Sequence, residues 1–183
     1  MSSEIFSIGH STHSIERFLE LLAQHGIQLL ADIRRFPGSR KYPHFGQDSL
    51  SRSLNEAGVG YDWMESLGGR RKASTDAPSQ NTGLRNESFR NYADYMATPT
   101  FKKGIQRLLD SASSHRVAMM CSESVFWRCH RRLVSDYLLT QGVVVMHIMP
   151  DGDLRPHTLT SGAKVENGQV AYPPQESDQG VLF

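Results

Sequence analysis

No apolar run in this chain approaches the roughly 20 residues that a membrane-spanning helix needs, so no membrane partner is expected. The opening Met1-Ser2-Ser3-Glu4 does not lead from a basic stretch into an apolar core, as a secretory leader would, and a cytoplasmic location is expected. Cysteine is scarce. Cys121 and Cys129 cannot form the disulfide framework of a small secreted scaffold, and reduced thiols fit the same compartment. Charge of one sign is lacking too: 20 basic and 19 acidic residues leave a net charge of +1. Internal repeats, heptads and low-complexity tracts are absent. What remains is an ordinary globular composition, 38% hydrophobic over 183 residues, which suits one domain with a real core.

The balanced charge is unevenly spread. Arg34, Arg35, Arg40 and Lys41 share one acid-free window, Arg70, Arg71 and Lys72 a second, and Arg128, Arg131 and Arg132 a third. Half of all Lys and Arg therefore lie in three short windows beside Gly, Pro or His. If the fold gathers these windows, a near-neutral protein presents one strongly positive surface, which points to an anionic ligand. Taken singly, each window also reads as a solvated loop end.

The apolar pattern alternates strand and helix. Ile5 to Ile8 reads as a strand broken by Gly9, and Ser14 caps a helix carrying Ile15, Phe18, Leu19, Leu22 and Ala23. Ile27 to Ile33 reads as a buried strand, residues 36–46 as a loop, Leu50, Leu54 and Ala57 as a helix face, and Val59 to Trp63 as a strand. The polar stretch from Gly68 to about Asn86 has the composition of a lid or a locally disordered loop. Tyr92, Tyr95 and Met96 mark a third helix broken at Pro99, and Phe101, Ile105, Leu108, Leu109 and Ala112 give the clearest helical stripe. Val117 to Met120 is a strand, followed by a helix predicted to start near Ser124 and to carry Leu133, Val134, Tyr137 and Leu138 inward. Val143 to Met149 is the last strong strand.

This order predicts an α/β domain over residues 1–149: a mostly parallel sheet with helices on both faces, in three layers. Residues 150–183 read as an irregular tail packed on the domain or extending from it, with Val181-Leu182-Phe183 at its end. A polar site is expected at the carboxyl ends of the strands, where open α/β sheets bind ligands. Gly9-His10-Ser11-Thr12, Asp32 to Arg35 and Cys121-Ser122-Glu123 all fall on that rim.

In sequence the chain resembles the uncharacterised family known as domain of unknown function 488. The resemblance rests on Ile8-Gly9-His10-Ser11, Asp32-Ile33-Arg34, Pro37-Gly38-Ser39-Arg40 and Tyr61 leading to Leu67-Gly68-Gly69-Arg70. It continues through Tyr92-Ala93-Asp94-Tyr95-Met96, Met120-Cys121-Ser122-Glu123, Cys129-His130-Arg131 and Val145-Met146-His147-Ile148, covering about residues 5–149. It implies an α/β fold with a polar, enzyme-like pocket and no settled reaction.

The residues themselves leave three functions open. The first is an enzyme, a hydrolase or transferase, acting on a phosphate-bearing, nucleobase-containing substrate such as DNA or RNA under repair or modification. Its catalytic candidates are His10, Asp32, Glu123, Cys121 and His130, with acid–base or glycosidic-bond chemistry at the carboxylates. Its anion-binding candidates are Ser11, Arg34, Ser39, Arg40, Gly68, Gly69, Arg70, Arg128 and Arg131. Tyr61, Trp63, Tyr92 and Trp127 read mainly as core, with one or two free to stack on a base, and His147 reads as core. The second is a cysteine-dependent sulfurtransferase or phosphatase-like enzyme in which Cys121 is the low-pKa thiol and Arg128 its cation. Here the loop lacks the glycine that tight phosphate cradles use. The third is a non-catalytic module that binds a nucleotide or nucleic acid. No cofactor is required; a zinc ion would draw on Cys121, Cys129 and His130, with a further donor such as His10. The carboxylates also allow structural ion pairs, Asp32–Arg34 or Glu123–Arg131.

Overall fold

A computed structural model describes residues 3–175. Five strands lie parallel in the order β3 (Gly60–Trp63), β2 (Leu29–Asp32), β4 (Val117–Cys121), β1 (Glu4–Gly9) and β5 (Val144–Ile148). A sixth strand, β6 (Leu154–Pro156), adds antiparallel to β5 at one edge. Alternate residues of each strand face opposite layers. Phe6, Ile8, Leu30, Ala118 and Met120 pack with Phe18, Leu21 and Leu22 of α1 (Ile15–Gln24) and with Leu50 and Leu54 of α2 (Gln47–Glu56). Ile5, Ala31, Val117 and Met119 face the other layer. They meet Tyr92 of α3 (Glu87–Tyr95), Phe101, Ile105 and Leu108 of α4 (Pro99–Ala112), and Leu133, Val134 and Leu138 of α5 (Arg131–Thr140). The three-layer α/β expectation holds.

Local chemistry sets several boundaries. Ser14 accepts a hydrogen bond from the Arg17 backbone N–H and caps α1; Thr98 caps α4, with Pro99 at its first position. Pro99 thus starts a helix, and the preceding one already ends at Tyr95. The helix predicted from Ser124 instead begins at Arg131. Residues 126–128 form a single 3₁₀ turn, and Cys129 is extended, so this stretch is a loop that turns polar groups back toward the strand ends. Residues 154–171, read in the sequence as irregular tail, supply β6 and a hairpin of β7 (Lys164–Glu166) and β8 (Gln169–Ala171). Their alternation is too short and too exposed to register as a strand pattern. Val181-Leu182-Phe183 lies outside the described residues.

The topology creates a crevice. The chain moves from β1 through α1 and α2 toward β3, then returns through α3 and α4 to β4 and crosses by α5 to β5. The neighbours β1 and β4 therefore send their following loops toward opposite layers, which is the arrangement that opens a ligand site in doubly wound sheets. Gly9 stands opposite Cys121 at that point. A side chain at Gly9 would collide with the Glu123 carbonyl oxygen, so the two loops can meet only because this residue has none. The approach is closed by hydrogen bonds from the His10 N–H to the Cys121 carbonyl (2.9 Å) and from the Ser11 N–H to the Ser122 carbonyl (3.0 Å).

Candidate active site

Above the crevice lies a cavity of about 810 Å³. Its basic lining residues are Arg34, Arg35, Lys41, Arg70 and Arg128, set against one carboxylate, Glu123. His10, Ser11, Ser39, Gly69, Cys121, Cys129 and His130 also line it. All three basic windows of the sequence thus reach one cavity, although through a different set of side chains than expected. Arg35 and Lys41 join it, whereas Arg40 is exposed outside the lining and Arg131 is buried behind the floor. Gly68 does not line the cavity either; its Cα packs against the Arg35 backbone with no room for a side chain. Among the described residues, Arg70, Arg128 and Glu123 make no ion pair, which leaves their charges available to a ligand. Phe36 is 61% exposed beside Arg35 at this cavity.

Two lining residues, Ser11 (φ 47°) and Arg70 (φ 56°), hold left-handed backbone that side-chain-bearing residues rarely adopt. Strain of this kind persists where surrounding contacts enforce it, and it gathers at functional sites.

His10 is buried and stacks on Phe45, with ring centroids 4.3 Å apart. Burial holds its pKa down to about 4 despite the bond to the Ser11 carbonyl, so the ring is neutral at neutral pH. That carbonyl, 3.0 Å from Nδ1, can only accept; the proton therefore sits on Nδ1 and the Nε2 lone pair is open. A neutral imidazole with a free acceptor on a cavity wall is suited to take a proton.

Asp32 does not share that freedom. It is fully buried and receives Arg34 Nε (2.9 Å), Arg34 Nη2 (2.7 Å), the Arg34 backbone N–H (3.1 Å) and the Tyr61 hydroxyl (2.6 Å). Arg34 Nη1 donates to the Phe45 carbonyl at 2.7 Å. The pair is a structural clamp between β2, β3 and the 36–46 loop, which removes Asp32 from the catalytic candidates. The alternative Glu123–Arg131 ion pair is not formed; Arg131 reaches the Glu123 carbonyl oxygen, not its carboxylate. Trp127, expected mainly in the core, is 41% exposed.

The cysteines meet at the cavity floor, with Sγ atoms 2.7 Å apart. Arg131, 1% exposed, faces them without a carboxylate partner: Nε donates to Cys121 Sγ at 3.0 Å, and the backbone N–H donates to Cys129 Sγ at 3.2 Å. Burial pushes both thiols up. At Cys129 that push is outweighed by the hydrogen bond from Cys121, the Arg131 charge and the N–H at the start of α5, and its pKa falls to about 7. At Cys121 burial and the proton shared with Cys129 drive the pKa well up. The arginine that reaches the two sulfurs is Arg131, not Arg128. His130 donates from Nε2 to the Ile33 carbonyl (2.9 Å), with Nδ1 3.9 Å from Cys129 Sγ. Burial lowers its pKa as well. Cys121, Cys129 and His130 do not make a metal-ligand set: among the described residues, no three His, Cys, Asp or Glu side chains are grouped to hold an ion.

Behind Arg131 runs a buried polar chain whose members no sequence motif connects. Arg131 Nη1 donates to Ser7 Oγ (3.0 Å), Ser7 Oγ lies 2.6 Å from His147 Nδ1, His147 Nε2 lies 2.9 Å from His157 Nδ1, and His157 Nε2 lies 2.8 Å from Asp136 Oδ1. A carboxylate cannot donate, so His157 Nε2 donates to Asp136; with one proton on each ring, His147 then donates to His157 and Ser7 to His147. Asp136 also accepts from the Thr160 N–H (3.0 Å) and the Tyr172 hydroxyl (2.7 Å), tying residues 157–172 to the core. His147 is in the core as expected, stacked on Phe126 at 3.6 Å, but as a link in this chain.

No curated protein and no solved structure matches the chain, and among the described residues no helix is long and apolar enough to cross a membrane. One family model does match, over residues 14–138. It covers the basic loops, the clamp at Asp32 and both cysteines, while Ile8 to Ser11 and Val145 to Ile148 fall outside it. The chain belongs to the family described as Domain of unknown function DUF488.

Proposed function

We propose that this protein is an enzyme, a hydrolase or transferase, acting on a phosphate-bearing, nucleobase-containing substrate, with nucleic acid as the substrate class to test first. The observation that carries the reading is the cavity lining: five Arg or Lys side chains against one carboxylate, with Arg70 and Arg128 making no ion pair among the described residues. In this reading Arg35, Lys41, Arg70 and Arg128 hold phosphate, and the exposed ring of Phe36 stacks on a base. Neutral His10 accepts a proton at Nε2, and Glu123 is the second acid–base group. Binding of a short single-stranded oligonucleotide, measured by fluorescence anisotropy across a salt series, tests it. Arg70→Ala and Arg128→Ala should each weaken binding and flatten the slope of log K against log salt by about 0.7 for each phosphate no longer neutralised. No binding at low ionic strength would refute it. Tight binding with no conversion, unchanged in Glu123→Gln, would leave a binding module in its place.

A thiol-dependent transferase or phosphatase-like reaction is the second reading, favoured by the acidified Cys129 at the start of α5. It puts the nucleophile at Cys129, so Cys129→Ser should abolish turnover of an activated phosphate or sulfur donor, and retained turnover would exclude it.

A further inference from the structure

We infer that Cys121 and Cys129 form a redox-active dithiol that exchanges with an anionic low-molecular-weight disulfide admitted through the basic cavity. This goes beyond the phosphate reading and does not depend on it. Three observations carry the inference. The two sulfurs, 2.7 Å apart, need only a small side-chain adjustment to reach the roughly 2.05 Å of a disulfide bond. Each sulfur has its own donor on Arg131, Nε on Cys121 and the backbone N–H on Cys129, so one fixed cation supports a thiolate at either position. Both cysteines line the cavity while being only 3% and 5% exposed, so a disulfide must enter past Arg35, Lys41, Arg70 and Arg128 to reach them.

The buried chain from Arg131 to Asp136 accounts for the steadiness of that cation. Ser7 and the Glu123 carbonyl hold the two terminal nitrogens of its guanidinium, which aims the remaining Nε–H at Cys121. Ser7, His147, His157 and Asp136 are positioning residues in this scheme, because they act only through Arg131.

The exchange balances as two displacements. The Cys129 thiolate attacks one sulfur of the disulfide R–S–S–R, forming a Cys129–S–S–R mixed disulfide and releasing one thiolate RS⁻. Cys121 then attacks Cys129 Sγ. The Cys121–Cys129 bond forms, the second RS⁻ departs, and the Cys121 proton ends on that leaving thiolate as RSH. The protein loses two electrons and the external disulfide gains them; a dithiol reductant runs the sequence backwards.

The probe is glutathione disulfide, an anionic disulfide, added to the reduced full-length chain, followed by acid quench, alkylation of free thiols and intact-mass analysis. Wild type should end as an internal disulfide with no attached glutathione and should return to two alkylatable thiols after dithiothreitol. Cys121→Ser should stop at one glutathione on Cys129. At low ionic strength glutathione disulfide should outpace the cationic disulfide cystamine on the order of tenfold, each rate normalised to that with a free thiol, and salt should erase the difference. Wild type that keeps two free thiols in excess glutathione disulfide overturns the dithiol. A cystamine rate equal to or above that of glutathione disulfide overturns the anionic selection. Neither readout involves phosphate, so the oligonucleotide measurement can fail while this one succeeds.

Discussion

Replacing Asp32 with alanine leaves the Arg34 guanidinium, 7% exposed, without the carboxylate that had taken two of its hydrogen bonds and a third from the Arg34 backbone N–H. Removing one partner of a buried ion pair costs about 3–5 kcal/mol, because the remaining charge stays desolvated. Each kcal/mol moves the melting temperature of a domain of this size by roughly 2–4 °C, so Asp32→Ala should melt about 6–20 °C below wild type. Tyr61 adds a check. Its hydroxyl donates to Asp32 at 2.6 Å, and Tyr61→Phe, which leaves the ion pair in place, should cost less than Asp32→Ala. The decisive variant is the double substitution Asp32→Ala with Arg34→Met, which removes both charges and should recover much of the loss. Calorimetry on the four proteins measures all of this. If Asp32→Ala melts within about 2 °C of wild type while activity vanishes, Asp32 is a catalytic carboxylate and the clamp argument fails. A double variant less stable than the single one would also refute it.

Three further outcomes follow from the buried groups. Burial lowers the pKa of His10 to about 4 and that of His147 to about 2, so below pH 6.5 the unfolded chain takes up protons that the native state refuses. The urea midpoint should therefore fall as pH drops through 6.5, with the His10 share spent by about pH 4 and the His147 share continuing to about pH 2; a midpoint flat from pH 7 to 4 would contradict this. Iodoacetamide should modify Cys129 with a rate that rises through about pH 7, read by peptide mass spectrometry; a rate that rises only around pH 9 would contradict the acidification. Asp136→Asn keeps the shape but removes the charge and sets an NH2 donor where an accepting oxygen faced the Tyr172 hydroxyl. It should lower stability by about 2–4 kcal/mol and speed amide exchange across residues 154–172; unchanged protection there would show that Asp136 does not anchor that segment.

How much of the site is legible in the sequence depends on the distance between partners. Asp32 and Arg34 are two residues apart, and their pairing is one of the ion pairs the sequence allows, because neighbours on one strand end must meet something close by. Arg131 stands in its basic window, yet its task there is hidden. Helical spacing does not reveal that the chain delays α5 until residue 131 and turns this arginine inward onto both thiols. Arg35 and Lys41 line the cavity where Arg40 is the expected residue, since which face of a loop meets a cavity is set by what packs beneath the loop. The chain from Ser7 to Asp136 joins residues 140, 10 and 21 positions apart, and no spacing rule connects them.

The sequence by itself determined the layered α/β architecture, because strand and helix periods in alternation leave few ways to bury both faces of a parallel sheet. It also determined that half of the basic residues lie in three short windows beside loops. Only the tertiary structure decided which cations face the cavity, that Arg131 reaches both thiols, and that Asp32 is spent on a clamp. Those outcomes depend on distances across the crevice between β1 and β4 and on burial, and neither is a property of residues taken in order.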